Sequence, residues 1–386
     1  MSHGGDPFAP PLETLRRRTG RKWSKYGPEV LPAWIADMDF LPAPSIRVAL
    51  EDALASGDFG YGPTADASGV SDVFAAWAER RWGWALDPGS VMLMPDVVGG
   101  LANAIEALTA PGDGVLVQTP AYPPLMSSVR VAGRRLIDVP LGEAGLGLDA
   151  VEAAIRAERP ALMILCHPHN PTGRVFGAAD LRRLGELALE HGTIVVSDEV
   201  HADLALDGRR HIPFASLSRD IAAITVTLNA ASKAFNVAGL RCAVCVAEGE
   251  PRARLNALPS TRWNAFSTVG VRAARAAWSD EGEAWLEACV AHLERQRDRL
   301  ASRLPACGAR MTPPQAGYLA WLDFRGAGLD GEPAAVLLDE ARVALSPGLD
   351  FGLEGRGFAR LNFATSEALL DAMLERMSGF FCGRPA

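Results

Sequence analysis

Six cysteines at isolated positions are all that 386 residues contain, which excludes a disulfide-framed secreted fold and points to reduced, mostly buried thiols. Positive charge is not in excess either. The 38 Lys and Arg stand against 46 Asp and Glu, a formal net charge of −8, so there is no general electrostatic footprint for nucleic acid. Long apolar runs are missing: the most apolar window, Val91 to Val117, is broken by Pro95, Asp96, Asn103, Glu106, Pro111 and Asp113. No membrane span is expected. The opening MSHGGDPFAPPLETLRRR has no apolar core of a secretory signal, and a soluble cytoplasmic protein is the expectation. Internal repeats and low-complexity segments are absent from the sequence.

What is present is ordinary globular usage, 48% hydrophobic and 22% charged, in a chain long enough for one large and one smaller domain. From about Gly69, helical patterns such as GGLANAIEALTA and AADLRRLGELALEHG alternate with short apolar strands such as GVLVQTP, ALMILCHP, TIVVSDEV, AAITVTLNAASK and RCAVCVA. That alternation predicts an α/β fold with a mostly parallel sheet covered on both faces. Beyond about Thr268 comes one long helical pattern with a break near Ser279 to Gly282. AGYLAWLDF, EPAAVLLDEARV, a loop at SPGLDFGLEGRG, FARLNFA and a final helix then read as an α+β unit. The expected division is residues 1–44 as a segment packing with the small domain, 45–285 as the large domain, and 286–386 as the small one.

Several patterns carry less than they suggest. Gly326 to Gly331 matches GxGxxG, but too little chain follows for two nucleotide-binding halves, and a glycine-rich turn before a helix is expected. Cys242 and Cys245 lie three apart in a strand, on opposite faces. Alternation along a strand end also accounts for Cys166, His167 and His169, and no metal site is expected. The basic cluster Arg16, Arg17, Arg18, Arg21, Lys22 and Lys25 reads as a solvated surface at a subunit contact.

The chemistry gathers at strand ends, where ligands collect in such sheets. Lys233 follows an apolar β-branched run, with Ser232 before it and Arg241 eight residues later. This is the arrangement expected around a pyridoxal 5′-phosphate (PLP) Schiff base, the lysine forming the imine and Ser232 and Arg241 holding the phosphate. Asp198 follows the strand TIVVSDEV; it suits a helix cap, or a carboxylate that keeps a cofactor ring nitrogen protonated. Asn170-Pro171-Thr172-Gly173 reads as a tight turn, and the Asn170 amide could donate to the phenolic oxygen of the cofactor. The helix start at Asp96, Val97, Val98 and Gly99 offers backbone N–H groups to a phosphate.

With WIADMDF from Trp34, FGYG around Tyr61, TPAYPP around Tyr122, NPTG, SDEVHAD, SKAFN, YLAWLDF and EGRGFARLNFA, the chain resembles fold-type I PLP enzymes of the class I/II aminotransferase superfamily. Within them it is similar to the cystathionine β-lyase-like (PatB/MalY-type) C–S lyases, to which WIADMDF and SDEVHAD point. The resemblance implies that Lys233 is the imine-forming base, that Asp198 pairs with the ring nitrogen, and that Asn170 and His201 lie near the phenolic oxygen. It implies that Tyr122 stacks on the ring and that Tyr61 reaches the phosphate of a neighbouring subunit in a homodimer. Arg360 would hold the substrate carboxylate, and Trp34, Ala36 and Asp37 would line the substrate pocket. Two departures stand out: Ala230 occupies a position where many relatives use serine, and Arg241 is present where some lyases lack it. The implied reaction is α,β-elimination from a sulfur-bearing L-amino acid, giving a thiol, pyruvate and ammonia. An aminotransferase using the same residues is the alternative. A non-catalytic PLP-binding regulator would be expected to carry a DNA-binding helix-turn-helix, for which the sequence offers no segment.

Overall fold

Seven short apolar strands build the platform for the site. The computed structural model describes residues 5–143 and 145–383. A two-residue strand β1 (Leu31–Pro32) precedes the platform strands β2 (Val91–Met94), β3 (Gly114–Thr119), β4 (Arg135–Pro140), β5 (Leu162–Cys166), β6 (Ile194–Asp198), β7 (Thr225–Asn229) and β8 (Ala243–Ala247). Their order is β2-β8-β7-β6-β5-β3-β4, and β8 alone runs opposite to the other six. The mostly parallel sheet read from the sequence is therefore present.

Near-continuous burial explains the strand composition. Alternate residues point to opposite faces, and Val115, Val117, Ile164 and Val226 pack with Leu101, Ile105 and Leu125 on one side. Leu116, Met163, Leu165 and Val195 pack with Val151, Ile155 and Leu184 on the other. Each such side chain contributes about 1.5–3 kcal/mol when fully buried. The edge strand β4 shows the half-solvated alternation instead, with Ile137 and Val139 buried between half-buried or exposed neighbours.

The remaining strands are β9 (Leu319–Asp323), β10 (Val343–Ala344), β11 (Ser346–Pro347) and β12 (Phe358–Asn362). They give an antiparallel sheet β11-β12-β9 and a parallel pair β1-β10. The long helical pattern is indeed two helices, Thr268–Ala277 and Asp280–Arg303. Ser279 starts the second by accepting from the Gly282 N–H (3.1 Å), a side-chain cap worth about 1 kcal/mol. Gly282 must lack a Cβ, which would lie 2.1 Å from the Ala277 carbonyl oxygen.

Two local expectations need correction. SPGLDFGLEGRG is not wholly loop, since Ser346–Pro347 pairs with Arg360 and Ala359 as β11. The basic cluster is not wholly solvated either. Lys22 is 2% exposed and pairs with the fully buried Asp39 at 2.9 Å, while Arg18 donates to the Met38 and Phe40 carbonyls. These cations fold inward because residues 34–40 cross beneath them with main-chain oxygens that need donors. The GxGxxG stretch is a turn ahead of the helix Pro333–Glu340, which Glu332 caps through the Ala334 N–H (2.9 Å).

Candidate active site

The cavity at the carboxyl ends of the parallel strands collects most of the residues singled out in the sequence. Tyr122 arrives just past β3, Asn170 past β5, Asp198 at the last residue of β6, and Ser232 and Lys233 in the short helix after β7. Asn170 and Tyr122 flank the point where strand order reverses, between β5 and β3, which is where a crevice opens in such sheets. Ala36, Val97, Val98, His201 and Arg241 complete the wall, with Cys166, Val200, Ala230 and Ala243 providing an apolar slot.

The Lys233 ammonium is held by the Ala36 main-chain oxygen (3.0 Å), which also accepts from the Tyr318 hydroxyl (3.1 Å). Burial lowers the Lys233 pKa, and the Asp37 carboxylate opposes that shift. The consequence is a lysine nearer the neutral amine than an exposed one. Asp198 accepts from the Val200 N–H (3.2 Å), and burial pushes its carboxyl up to about 6, with Lys233 acting weakly against this. No ion pair reaches Asp198 among the described residues. The carboxylate therefore lacks the cation that would settle its charge. His201 is kept neutral by burial, its pKa pulled down to about 3, and its Nδ1 has no hydrogen-bond partner.

Arg360 enters from β12. It donates to the Asn170 Oδ1 (2.9 Å), the Trp34 carbonyl (3.2 Å) and the Ser346 hydroxyl (3.3 Å), and its guanidinium lies 4.7 Å from the Phe351 ring centroid. Its Nε is buried without a partner, and no carboxylate pairs with it among the described residues. Phe351 is placed by a close crossing of two glycines: a Cβ on Gly355 would lie 1.8 Å from the Gly348 oxygen. Because Asn170 turns its oxygen to Arg360, its amide nitrogen is left to donate elsewhere.

Donors and unsatisfied groups fit PLP. Asp198 suits a protonated ring nitrogen, the Asn170 amide and His201 suit a phenolic oxygen, and Arg360 has guanidinium capacity left for a carboxylate. At the phosphate end, Val97 and Val98 open the helix Val97–Leu108, whose positive end faces the cavity. Here the geometry adds something unexpected. Asp96 caps that helix through the Gly99 N–H (2.8 Å) and also takes Arg241 at 2.6 Å. Arg241 thus reaches the cradle already tied to a carboxylate.

Not every residue is gathered in. Trp34 and Asp37 are half-buried in the loop 34–40 and do not line the cavity wall; the Trp34 carbonyl, rather than its ring, meets Arg360. Tyr61 is fully exposed and off the cavity. Sequence reasoning missed Tyr318, Ser346, Asn236 and Asn362. Asn236 exchanges two 2.8 Å bonds with the Met38 main chain, and Asn362 donates to the Ile35 and Asp37 carbonyls (both 2.7 Å). Tyr318, Asn236 and Asn362 stood inside the motifs YLAWLDF, SKAFN and RLNFA, and Ser346 opened the stretch SPGLDFGLEGRG, read as a loop. The signal was available, but most of their partners are main-chain atoms about 200 or more residues away.

Comparison with known proteins follows the same lines. The family described as aminotransferase class I and II matches residues 35–377. Cystathionine beta-lyase PatB of Bacillus subtilis is 40% identical, covering 92% of this chain and 95% of its own. The cystathionine beta-lyase of Corynebacterium glutamicum is 37% identical, over 96% and 98%. A solved chain from Corynebacterium diphtheriae, assigned as a PLP-dependent beta-cystathionase, superposes with a TM-score of 0.93 at 36% identity, over 98% and 99%.

Proposed function

Since the chain belongs to the class I and II aminotransferase family, we propose that it is a PLP-dependent carbon–sulfur β-lyase acting on L-amino acids that carry sulfur on Cβ. The observation that carries this reading is the convergence of Lys233, Asp198 and Asn170 on one cavity, with Arg360 just behind its wall and joined to Asn170 at 2.9 Å. The names borne by relatives at 37–40% identity favour the lyase over the aminotransferase outcome. When bound, PLP supplies an electron sink conjugated to the substrate Cα. The rest is work for the chain. Arg360 would take the α-carboxylate in a bidentate grip and so fix which Cα bond is weakened. Asp198 would hold its charge for the ring nitrogen, and the slot of Val200 and Ala230 would exclude water.

Lys233, moved toward the neutral amine by burial, would remove the Cα proton as general base. The Cβ–S bond would then break and the thiolate leave, and Lys233 would return the proton to sulfur. The remaining three-carbon unit hydrolyses to pyruvate and ammonia. Val97, Val98, Ser232 and Arg241 would hold the phosphate, with Tyr122 against the ring. Burial raises the Tyr122 pKa and keeps its phenol protonated.

A homodimer completes the reading, with Tyr61 of each protomer serving the partner's phosphate. In support, Tyr61, Phe59, Leu54 and Val48 are each exposed, on or just after the helix Pro44–Ser56. Residues 45–285 would form the cofactor-binding domain and 286–386 the small domain, with the first 44 residues packed on it. Six unpaired cysteines suit a reducing compartment, the cytoplasm. The test is to incubate the PLP-loaded enzyme with cystathionine and score pyruvate and homocysteine. A new keto acid that appears only with an amino-acid acceptor, without pyruvate, would assign the enzyme to transamination instead. Lys233→Ala should lose the borohydride-reducible visible chromophore.

A further inference from the structure

Next to the Arg360 anchor, the first and third cations of the segment RKWSKY gather on one indole. The Arg21 guanidinium lies 5.8 Å from the Trp34 ring centroid and the Lys25 ammonium 4.2 Å from it. Tyr26 meets the same ring edge-on at 6.0 Å, and the indole N–H is anchored on the Lys22 carbonyl (3.3 Å). Both cations are exposed, and neither has an ion-pair partner among the described residues. Their neighbours differ: Lys22 is paired with Asp39, and Arg241 with Asp96. Two uncompensated charges stacked on one ring repel each other, and the arrangement gains most when an anion sits between them.

The position of this pair connects it with the site. The Trp34 carbonyl accepts directly from Arg360, so the residue that carries the cations also touches the α-carboxylate anchor. The Tyr122 hydroxyl on the cavity wall feels the positive charge of both Arg360 and Arg21. Meanwhile the floor is closed by buried Cys166, Asp198 and His201. A substituent on the substrate Cβ must therefore lead outward, toward the exposed rim.

We propose that Arg21 and Lys25, held on the Trp34 indole, form a subsite for a carboxylate on the departing β-substituent. The preferred substrates are then Cβ–S amino acids whose thiol half bears an acid group. This rests on the lyase reading, and the experiment separates the two. Wild type and the double variant Arg21→Gln/Lys25→Gln are compared on S-(2-carboxyethyl)-L-cysteine and on S-propyl-L-cysteine, matched in length and differing in charge. The variant should lose about tenfold in kcat/KM on the carboxylated compound, nearly all of it in KM, and stay within about twofold on the neutral one. Added salt should weaken the wild-type preference and leave the variant's flat.

Equal losses on both compounds, with a fall in dimer mass by sedimentation, would assign the cations to a subunit contact and overturn the subsite. Unchanged kinetics would overturn it as well. If wild type releases pyruvate from neither compound, the lyase reading fails alone. Calorimetric binding of the same two compounds then decides the subsite, which stands only if a wild-type preference for the carboxylate is lost in the variant.

Discussion

Replacing Lys22 with methionine tests whether the N-terminal segment is held as described. Lys22 and Asp39 are 2% and 0% exposed and 2.9 Å apart, and the same ammonium donates to the Asp37 carbonyl (3.0 Å). In Lys22→Met, Asp39 keeps only the Trp23 indole N–H (2.7 Å), leaving a buried carboxylate without its cation. Breaking one side of a buried pair costs about 3–5 kcal/mol, whereas a surface lysine costs about 0–1 kcal/mol. Urea unfolding, followed by tryptophan fluorescence, should show the larger loss. Lys22→Met/Asp39→Asn should recover at least half of it, because Asn keeps an oxygen for Trp23 and removes the charge. Activity should fall in the single variant as well, since the loop it tethers supplies the oxygens that hold Arg360 and Lys233. A loss below about 1 kcal/mol, or no recovery in the double variant, would refute the argument.

The site yields three more expectations. Asp198→Asn should lower kcat about 10- to 100-fold, the loss of one charge-assisted bond, with a smaller change in KM. Arg360→Lys keeps the charge but loses the planar fork, so KM for any L-amino-acid substrate should rise about 10- to 100-fold in steady-state assays. For the PLP-free enzyme, burial raises the Asp198 pKa from 3.8 to about 6. The folded state then binds more protons than the unfolded one between those values, so stability falls as pH rises from about 4 to 6. The penalty is on the order of 3 kcal/mol and persists above that window. PLP with a protonated nitrogen removes it, and the difference in melting temperature between loaded and PLP-free enzyme should widen across pH 4–6. A difference that is flat with pH would count against Asp198 as the partner of that nitrogen.

Much of the frame can be read from the sequence because parallel strands buried on both faces spell near-continuous apolar runs. Asn170, Asp198 and Lys233 are conspicuous for the same reason: each is a polar group where such a run ends. Strand direction left no comparable mark, since RCAVCVA looks the same whether β8 runs with or against its neighbours. The Lys22–Asp39 pair was invisible because burial, which decides its character, depends on chain arriving from elsewhere, and the exposed Arg241–Asp96 pair because it joins residues 145 apart in sequence. One compositional signal goes beyond the motifs. The chain has only three lysines, Lys22, Lys25 and Lys233, and meets its other cationic needs with arginine. In such a chain, a lysine at the end of an apolar run stands out without any knowledge of the surrounding pattern.

The loop 34–40 has a consequence for how this protein can be probed. Its oxygens at Trp34 and Ala36 receive Arg360, Lys233 and Tyr318. Such groups survive every side-chain replacement, so an alanine scan across these positions would pass over the part that touches the anchor and the base. What would expose them is a change to the backbone itself, such as an ester in place of the peptide link whose oxygen faces Lys233. The weaker carbonyl acceptor would register in the ionisation of that amine while the side chains stayed as they are.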